Sequence, residues 1–368
     1  MSASVYRKIV VKVGSNVIAG DNGLPDIAVM SQLMEQISEA KKKGTEVILV
    51  SSGAVASGRS LFQVSSKTDT IARRQLLAAI GQVKLINTYA DLLQTYNLLC
   101  AQVLVTKEDF RDRIHYLNMK SCLGALLQHN IIPIVNENDV VSVTELMFTD
   151  NDELAGLIAS MMGADALVIL TNVDGIYDRP PKEPGAQVIP LLDSGKTDFS
   201  FFISAEKSNF GRGGMLTKCS IAHKLSLVGI KVHIANGKTP GILTAILQKK
   251  EVGTVFATHT NKSKLKRWVA NSEGYAKGRI YINKGAREKL FQSKKASSLL
   301  PVGIIKLEGE FAKGDIVKII SEREELLGLG MAQYSSEVAR PYIGEKNKKP
   351  LIHYDYLFLY DQAESPVT

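Results

Sequence analysis

Two kinds of apolar spacing alternate along the chain. Short continuous apolar runs, many of them β-branched, occur at Lys8–Val13, Glu46–Ser51, Leu98–Thr106, Ile131–Asn136, Ala166–Thr171 and Lys231–Ala235. Several are closed by glycine, serine or asparagine, the mark of a buried strand and its turn. Between them, apolar residues recur at three- and four-residue steps. Ile27, Met30, Leu33, Met34 and Ile37 trace one helix face that stops at Gly44. Helices are likewise predicted over Thr70–Tyr96, Tyr116–His129, Asn151–Met162, Met215–Val228 and Gly241–Gln248. This alternation predicts an α/β fold with a mainly parallel sheet sandwiched between helices. In such sheets ligands bind beyond the carboxyl ends of the strands.

The pattern changes near residue 260. From Gly278 onward come short runs such as Arg279–Asn283, Gly303–Leu307 and Asp315–Ile320, set between glycines and charged turns. They predict a small β-rich second domain. The expected limits are an α/β domain over 1–258, a linker over 259–277, the β-rich domain over 278–360 and a tail over 361–368.

A length of 368 residues suits two domains, and 45% hydrophobic with 22% charged residues excludes disorder over most of the chain. No apolar run approaches the ~18 residues of a membrane span, and Met1–Lys12 lacks the pattern of a signal peptide. Cys100, Cys122 and Cys219 are too few and too scattered for a disulfide framework, which fits a cytoplasmic protein. The six histidines show no metal-ligand spacing, so no metal held by protein ligands is expected. Net charge is +8, and residues 259–368 hold 19 Lys/Arg against 13 Asp/Glu. Such an excess suits a solvated linker, or attraction of RNA or small anions.

The strand ends carry the chemistry. Lys12-Val13-Gly14-Ser15 sets a cation beside a turn whose N–H groups can face an anion, although a surface lysine before a glycine turn reads the same way. Ser51-Ser52-Gly53-Ala54 leads into a helical segment, where free N–H groups and hydroxyls suit a carboxylate or phosphate. Asn136-Glu137-Asn138-Asp139 is more polar than a turn needs. Asp139 can accept from a substrate ammonium while Asn136 and Asn138 orient the rest. Thr149-Asp150-Asn151-Asp152 opens a helix. Capping explains one carboxylate there, and a second can hold a pair of lysines by charge-assisted hydrogen bonds. Thr171-Asn172-Val173-Asp174-Gly175 suits an adenine or ribose site, or simply a turn. Gly211-Arg212-Gly213-Gly214-Met215-Leu216-Thr217-Lys218 is a glycine-rich loop entering a helix, able to cradle phosphate with the lysine as a point charge. It is not a G-x-x-x-x-G-K-[ST] loop. Leu216 stands where the last glycine of G-x-G-x-x-G would be, which disfavours a dinucleotide oxidoreductase. Together these features equip the chain for phosphoryl transfer, where positioning and charge neutralisation do most of the work. No general base stands out. A carboxylate acceptor needs none, since a glutamate side chain of pKa ~4.3 is already ionised at neutral pH.

The whole set resembles the amino acid kinase family, in the branch that phosphorylates glutamate and carries a C-terminal PUA domain. The likeness runs from about Lys8 to about Tyr356. It rests on Lys12-Val13-Gly14-Ser15, Ser52-Gly53-Ala54 with Gly58-Arg59, the run Gln75–Gln82, Asn136–Asp139, Asp150-Asn151-Asp152, Thr171, Asp174–Tyr177, Gly213–Met215 with Thr217-Lys218, and Ser297–Ile304. The resemblance implies ATP-dependent phosphorylation of the L-glutamate γ-carboxylate, the first committed step towards proline. It implies that Lys12 and Lys218 stabilise the moving phosphoryl group and that Asp152 holds both lysines. Ser52, Gly53, Asn136, Asp139 and Asn151 would bind glutamate. Lys12, Thr171, Asn172 and the loop Gly211, Arg212, Gly213, Gly214, Met215, Leu216, Thr217 and Lys218 would bind ATP, whose phosphates bring Mg²⁺. A homo-oligomer and inhibition by proline are also implied. The chain departs from the family at Thr149, Asn172 and Arg212, where glycine, aspartate and threonine are usual. Two rival readings are a kinase for another acceptor, such as aspartate, acetylglutamate or a nucleoside monophosphate, and an RNA-binding protein acting through the C-terminal domain.

Overall fold

A computed structural model describes residues 6–20, 24–65, 67–142, 148, 150–181, 183–193, 214–258, 269, 276–292 and 297–360. They form two compact units, the larger built mainly from residues up to 261 and the smaller mainly from 262 onward. The expected linker lies almost wholly outside the described residues, and the expected tail entirely so.

The larger unit opens with β1 (Lys8–Val13), the short α1 (Ser15–Ile18), α2 (Ile27–Lys42) and β2 (Glu46–Ser51). Next come α3 (Ala54–Arg59), α4 (Thr70–Gln94), β3 (Cys100–Val105), α5 (Lys107–Arg111), α6 (Arg113–Gln128) and β4 (Ile132–Glu137). Then follow α7 (Asn151–Met162), β5 (Ala166–Thr171), β6 (Leu191–Asp193), α8 (Met215–Leu227), β7 (Lys231–Asn236), α9 (Ile242–Leu247) and β8 (Thr254–Ala257). The eight strands make one sheet in the order β3-β4-β2-β1-β5-β7-β8-β6. From β3 to β7 every neighbour is parallel, while β8 runs antiparallel to β7. The chain thus adopts the predicted fold class.

The central strands are apolar throughout because helices cover both faces. On one face Ile9, Val11 and Val13 of β1 pack against Met30, Leu33 and Met34 of α2, with Leu85 and Tyr89 of α4 and Leu243 of α9 in the same core. On the other, α7 packs across β1, β2, β4 and β5, and α8 packs on α7. Three of the helices start from an aspartate. Asp26, Asp69 and Asp150 accept from first-turn N–H groups of α2, α4 and α7. Helices α3 and α4 meet without side chains between them. A Cβ on Gly81 would collide with the Ala54 carbonyl, and one on Gly58 with that of Leu77. This close approach brings α4 up to the strand ends. No disulfide joins Cys100, Cys122 or Cys219. Among the described residues no helix is long and apolar enough to cross a membrane.

The smaller unit consists of β9 (Gly278–Ile282), α10 (Lys284–Gln292), β10 (Ile304–Glu308), β11 (Ile316–Ser321), β12 (Leu326–Ala332), α11 (Ser336–Ala339) and β13 (Ile352–Leu359). Its five strands form a second sheet in the order β10-β9-β11-β12-β13, over a core including Ile280, Ile282, Val317, Ile319 and Ile352. Sequence spacing marked β9, β10 and β11 but not β12. That strand contains Gly328 and Gly330, which are poor strand formers and sit where Phe358 and Ile352 come too close for a side chain.

Candidate active site

The carboxyl ends of β1, β2, β4 and β5 open on one side of the larger sheet, and α7 and α8 start there. Parallel register sets their side chains level. Val13 pairs with Ser51 across β1 and β2 and with Leu170 across β1 and β5, and Val50 pairs with Val135 across β2 and β4. Lys12 on β1, Ser51 at the end of β2, Asn136 near the end of β4 and Thr171 at the end of β5 therefore gather at this carboxyl edge, Ser51 and Asn136 on one face of the sheet and Lys12 and Thr171 on the other.

At its centre Asp152 is fully buried. Its Oδ1 lies 2.6 Å from Lys12 Nζ and its Oδ2 lies 2.8 Å from Lys218 Nζ. Lys12 comes from a strand, Lys218 from the first turn of α8, and Asp152 from the first turn of α7. The three are therefore placed by three independent elements. Burial by itself pushes the Asp152 carboxyl up. The two ammonium groups outweigh it, and the carboxyl sits below the usual range. The neighbouring Asp150 shows the opposite balance. Burial and then the Asp152 charge push its carboxyl up, while its Oδ1 caps α7 by accepting from Asp152 N and Glu153 N at 2.9 and 3.0 Å.

One side of this triad is a network of amides. Asn151 Nδ2 donates to Ser52 Oγ at 2.8 Å, to Asn136 Oδ1 at 3.1 Å and to Ser51 O at 3.3 Å. Asn136 Nδ2 donates to Gln82 Oε1 at 3.0 Å. Ser52, Asn136 and Asn151 thus lie together. Gly53 follows Ser52 with φ of +105°, a left-handed turn that also brings its backbone against Ile18. Asp139 joins the group by a different route. Arg74 Nη2 and Nε donate to its Oδ1 at 2.7 and 3.1 Å. Glu137 belongs to β4 rather than to the loop suggested by the run Asn136–Asp139. It is buried, and burial pushes its carboxyl up, while the Phe148 N–H that it accepts at 2.9 Å and the Arg74 charge oppose the rise.

Among the described residues the other side has fewer fixed side chains. Thr171 is buried and its Oγ1 lies 3.4 Å from Asn172 Oδ1, whereas Asn172 itself is exposed. Gly214 precedes α8 and offers no side-chain cap, and Met215 and Thr217 are half-buried in the first turn. In that turn the N–H groups of Thr217 and Lys218 donate to the Gly214 carbonyl at 3.2 and 3.5 Å, and the start of a helix is suited to phosphate. Gly211, Arg212, Gly213, the side chain of Leu216 and Thr149 lie outside the described residues.

Sequence reasoning overlooked the contribution of α4. Arg74, Gln82 and Tyr89 each hold a site residue or its strand. A signal for two of them was present: Gln82 and Tyr89 follow Gln75 at seven-residue steps, and such steps return to one helix face.

Residues 7–236 match the amino acid kinase family, and residues 278–353 match the PUA domain. The chain belongs to the amino acid kinase family. Among curated proteins, the glutamate 5-kinase of Chlorobaculum tepidum is 54% identical over 96% of this chain and 98% of its own length. The glutamate 5-kinase of Bacteroides thetaiotaomicron is 52% identical over 96% of this chain and 99% of its own. The glutamate 5-kinase of Trichlorobacter lovleyi is 38% identical over 95% and 93%. A chain of this kinase family takes ATP as a substrate.

Proposed function

We propose that this chain transfers the γ-phosphoryl group of ATP to the γ-carboxylate of L-glutamate, giving γ-glutamyl phosphate and ADP, the first step towards proline. One observation carries the chemistry: Asp152 clamps Lys12 and Lys218 at 2.6 and 2.8 Å, beside a prebuilt amide pocket. Whole-length likeness to glutamate 5-kinases supports glutamate as the acceptor. The acceptor carboxylate is already ionised, so the barrier is the approach of one anion to another. Two fixed ammonium groups lower it by neutralising charge on the moving phosphoryl oxygens, without reorganising during the reaction. Ser52, Gly53, Asn136, Asp139 and Asn151 hold glutamate. Lys12, Thr171, Asn172 and the stretch 211–218 hold ATP. Both Asp152 oxygens are committed to lysines, which fits a Mg²⁺ carried on the nucleotide phosphates. That ion supplies further charge neutralisation there.

The same reading takes residues 1–258 as the kinase domain, 259–277 as a linker, 278–360 as a PUA-like domain and 361–368 as a tail. It also takes proline as a feedback inhibitor, several copies of the chain as the working assembly and the cytoplasm as its location. RNA contributes nothing to a site of this kind, and the kinase reading stands without it.

The test is hydroxamate formation with ATP, Mg²⁺ and hydroxylamine, comparing glutamate, aspartate and acetylglutamate, each with and without proline. Hydroxamate from glutamate alone is expected, and less of it with proline present. Product from a different carboxylate, or from none while ATP still binds, would sink glutamate as the acceptor.

A further inference from the structure

Helix α4 enters the acceptor pocket through side chains to which the proposed chemistry gives no role. Its inner face offers Gln82 to Asn136 at 3.0 Å and Tyr89 OH to Ser51 Oγ at 2.7 Å, while Arg74 and Gln75 tie down Asp139 and the Val140 carbonyl. Glycine contacts with α3 hold the helix at this distance.

The hydrogen-bond polarity of the pocket follows from two backbone groups that cannot turn over. Glu137 N donates to Asn136 Oδ1 at 2.9 Å, so the opposite side of that amide must be its NH₂. Ser51 O accepts from Asn151 Nδ2 at 3.3 Å, so that amide too has one orientation. Asn136 Nδ2 then requires an acceptor on the α4 side, and Gln82 Oε1 supplies it. With both amides set, Ser52 Oγ accepts from Asn151 and its own hydrogen is left to point into the pocket. Asn151 Oδ1 is left as an acceptor. The pocket therefore shows a hydroxyl donor to a substrate carboxylate and an amide oxygen to a substrate ammonium.

We propose that Gln82 is a positioning residue for the acceptor: by accepting from Asn136 it holds the Asn136–Asn151–Ser52 chain in the one polarity that reads an α-amino acid. This rests on the reading of the site as a glutamate pocket. The network grips the acceptor in its ground state, so losing one member weakens binding of glutamate and spares phosphoryl transfer.

Gln82→Met keeps the shape and removes the acceptor. The expected result is a rise in KM for glutamate of about tenfold, the size of one lost neutral hydrogen bond. KM for ATP and kcat stay within about twofold. Thermal protection by glutamate should weaken to match, which gives a readout besides turnover. Gln82→Glu restores an acceptor oxygen and is expected to recover KM to within about threefold of the original. An active wild-type enzyme with unchanged KM in Gln82→Met would overturn this inference alone. So would Gln82→Glu failing as badly as Gln82→Met, or equal losses in glutamate binding, ATP binding and kcat, since these mark a merely structural residue. A wild-type enzyme that neither makes hydroxamate from glutamate nor is protected by it would remove the pocket reading first, and this inference with it.

Discussion

The two sides of the site are built differently. On the acceptor side, Ser52, Asn136, Asn151 and Asp139 come from the turn after β2, from β4, from α7 and from the loop after β4, and each is held by at least one other side chain. On the nucleotide side, Asn172 is exposed and touches Thr171 only at 3.4 Å. Asp174 and Asn236 are spent on each other at 2.9 Å, and α8 begins without a side-chain cap. The contrast has a physical reason. A small amino acid brings few groups, so the pocket must be rigid and correctly polarised beforehand to gain from them. A nucleoside triphosphate brings several negative charges of its own, which free backbone N–H groups and lysines satisfy with little preparation. Between the two sides stands Asp152, which serves both.

The variant that should damage both sides at once is Asp152→Asn. It leaves two buried ammonium groups without their shared counterion. Removing one partner of a buried ion pair costs about 3–5 kcal/mol of stability. With both lysines released from their places, kcat is expected to fall by about 10³-fold or more. Stability should also change with pH in a definite direction. The Asp152 carboxyl lies below its ordinary range in the folded chain, so its contribution is complete above the unfolded value of about 3.9 and disappears as pH falls through the lower folded value. Melting curves of wild type and variant should therefore converge below about pH 4. A constant gap down to the acid limit would mean that the ion pairs are not what Asp152 contributes.

Much of this was legible in the sequence because it is periodic or clustered. The runs Lys8–Val13 and Ala166–Thr171 are strands over those same residues, since parallel strands covered on both faces carry no competing pattern. That one of the two aspartates pairs with lysines was legible as well, because capping accounts for only one carboxylate, and the family resemblance is what gave that role to Asp152. What stayed hidden were long-range partnerships. Arg74 and Asp139 are 65 residues apart, and Asn136 and Gln82 are 54 apart. Neither pairing has a local signature. Glu137 was hidden for another reason. A carboxylate after an apolar run reads as the start of a loop, and only the Phe148 N–H and the nearby Arg74 make its burial tolerable.

A variant on the acceptor side alone sharpens the contrast. Arg74→Met removes both hydrogen bonds to Asp139 and also the cation 3.9 Å from Glu137. Asp139 then loses its fixed direction, and the Glu137 carboxyl, already raised by burial, moves further up. Hydrogen bonds to charged groups are worth about 1.5–3 kcal/mol, so KM for glutamate should rise by about 10- to 100-fold. KM for ATP should move by less than about twofold if the two sides are independent. Steady-state kinetics with each substrate varied in turn decides this. A parallel rise in both constants would show that Arg74 supports the whole site and not one side of it.

The smallest effect is expected on the nucleotide side, from Asn172→Ala. The side chain is exposed, and its contact with Thr171 is at the long limit of a hydrogen bond. Exposed substitutions away from caps and networks change free energy by about 0.5 kcal/mol or less, which is roughly twofold in a binding constant. KM for ATP should rise by no more than about threefold, and KM for glutamate should not change. The position is informative because it directly follows buried Thr171 at the end of β5 yet is itself exposed. If the nucleotide is recognised mainly by backbone groups and lysines, replacing asparagine by alanine costs little, and Asn172→Asp likewise gains little. A tenfold loss of ATP affinity in Asn172→Ala, with glutamate binding intact, would show that this side also reads its ligand through a placed side chain, and the contrast between the two halves would fail.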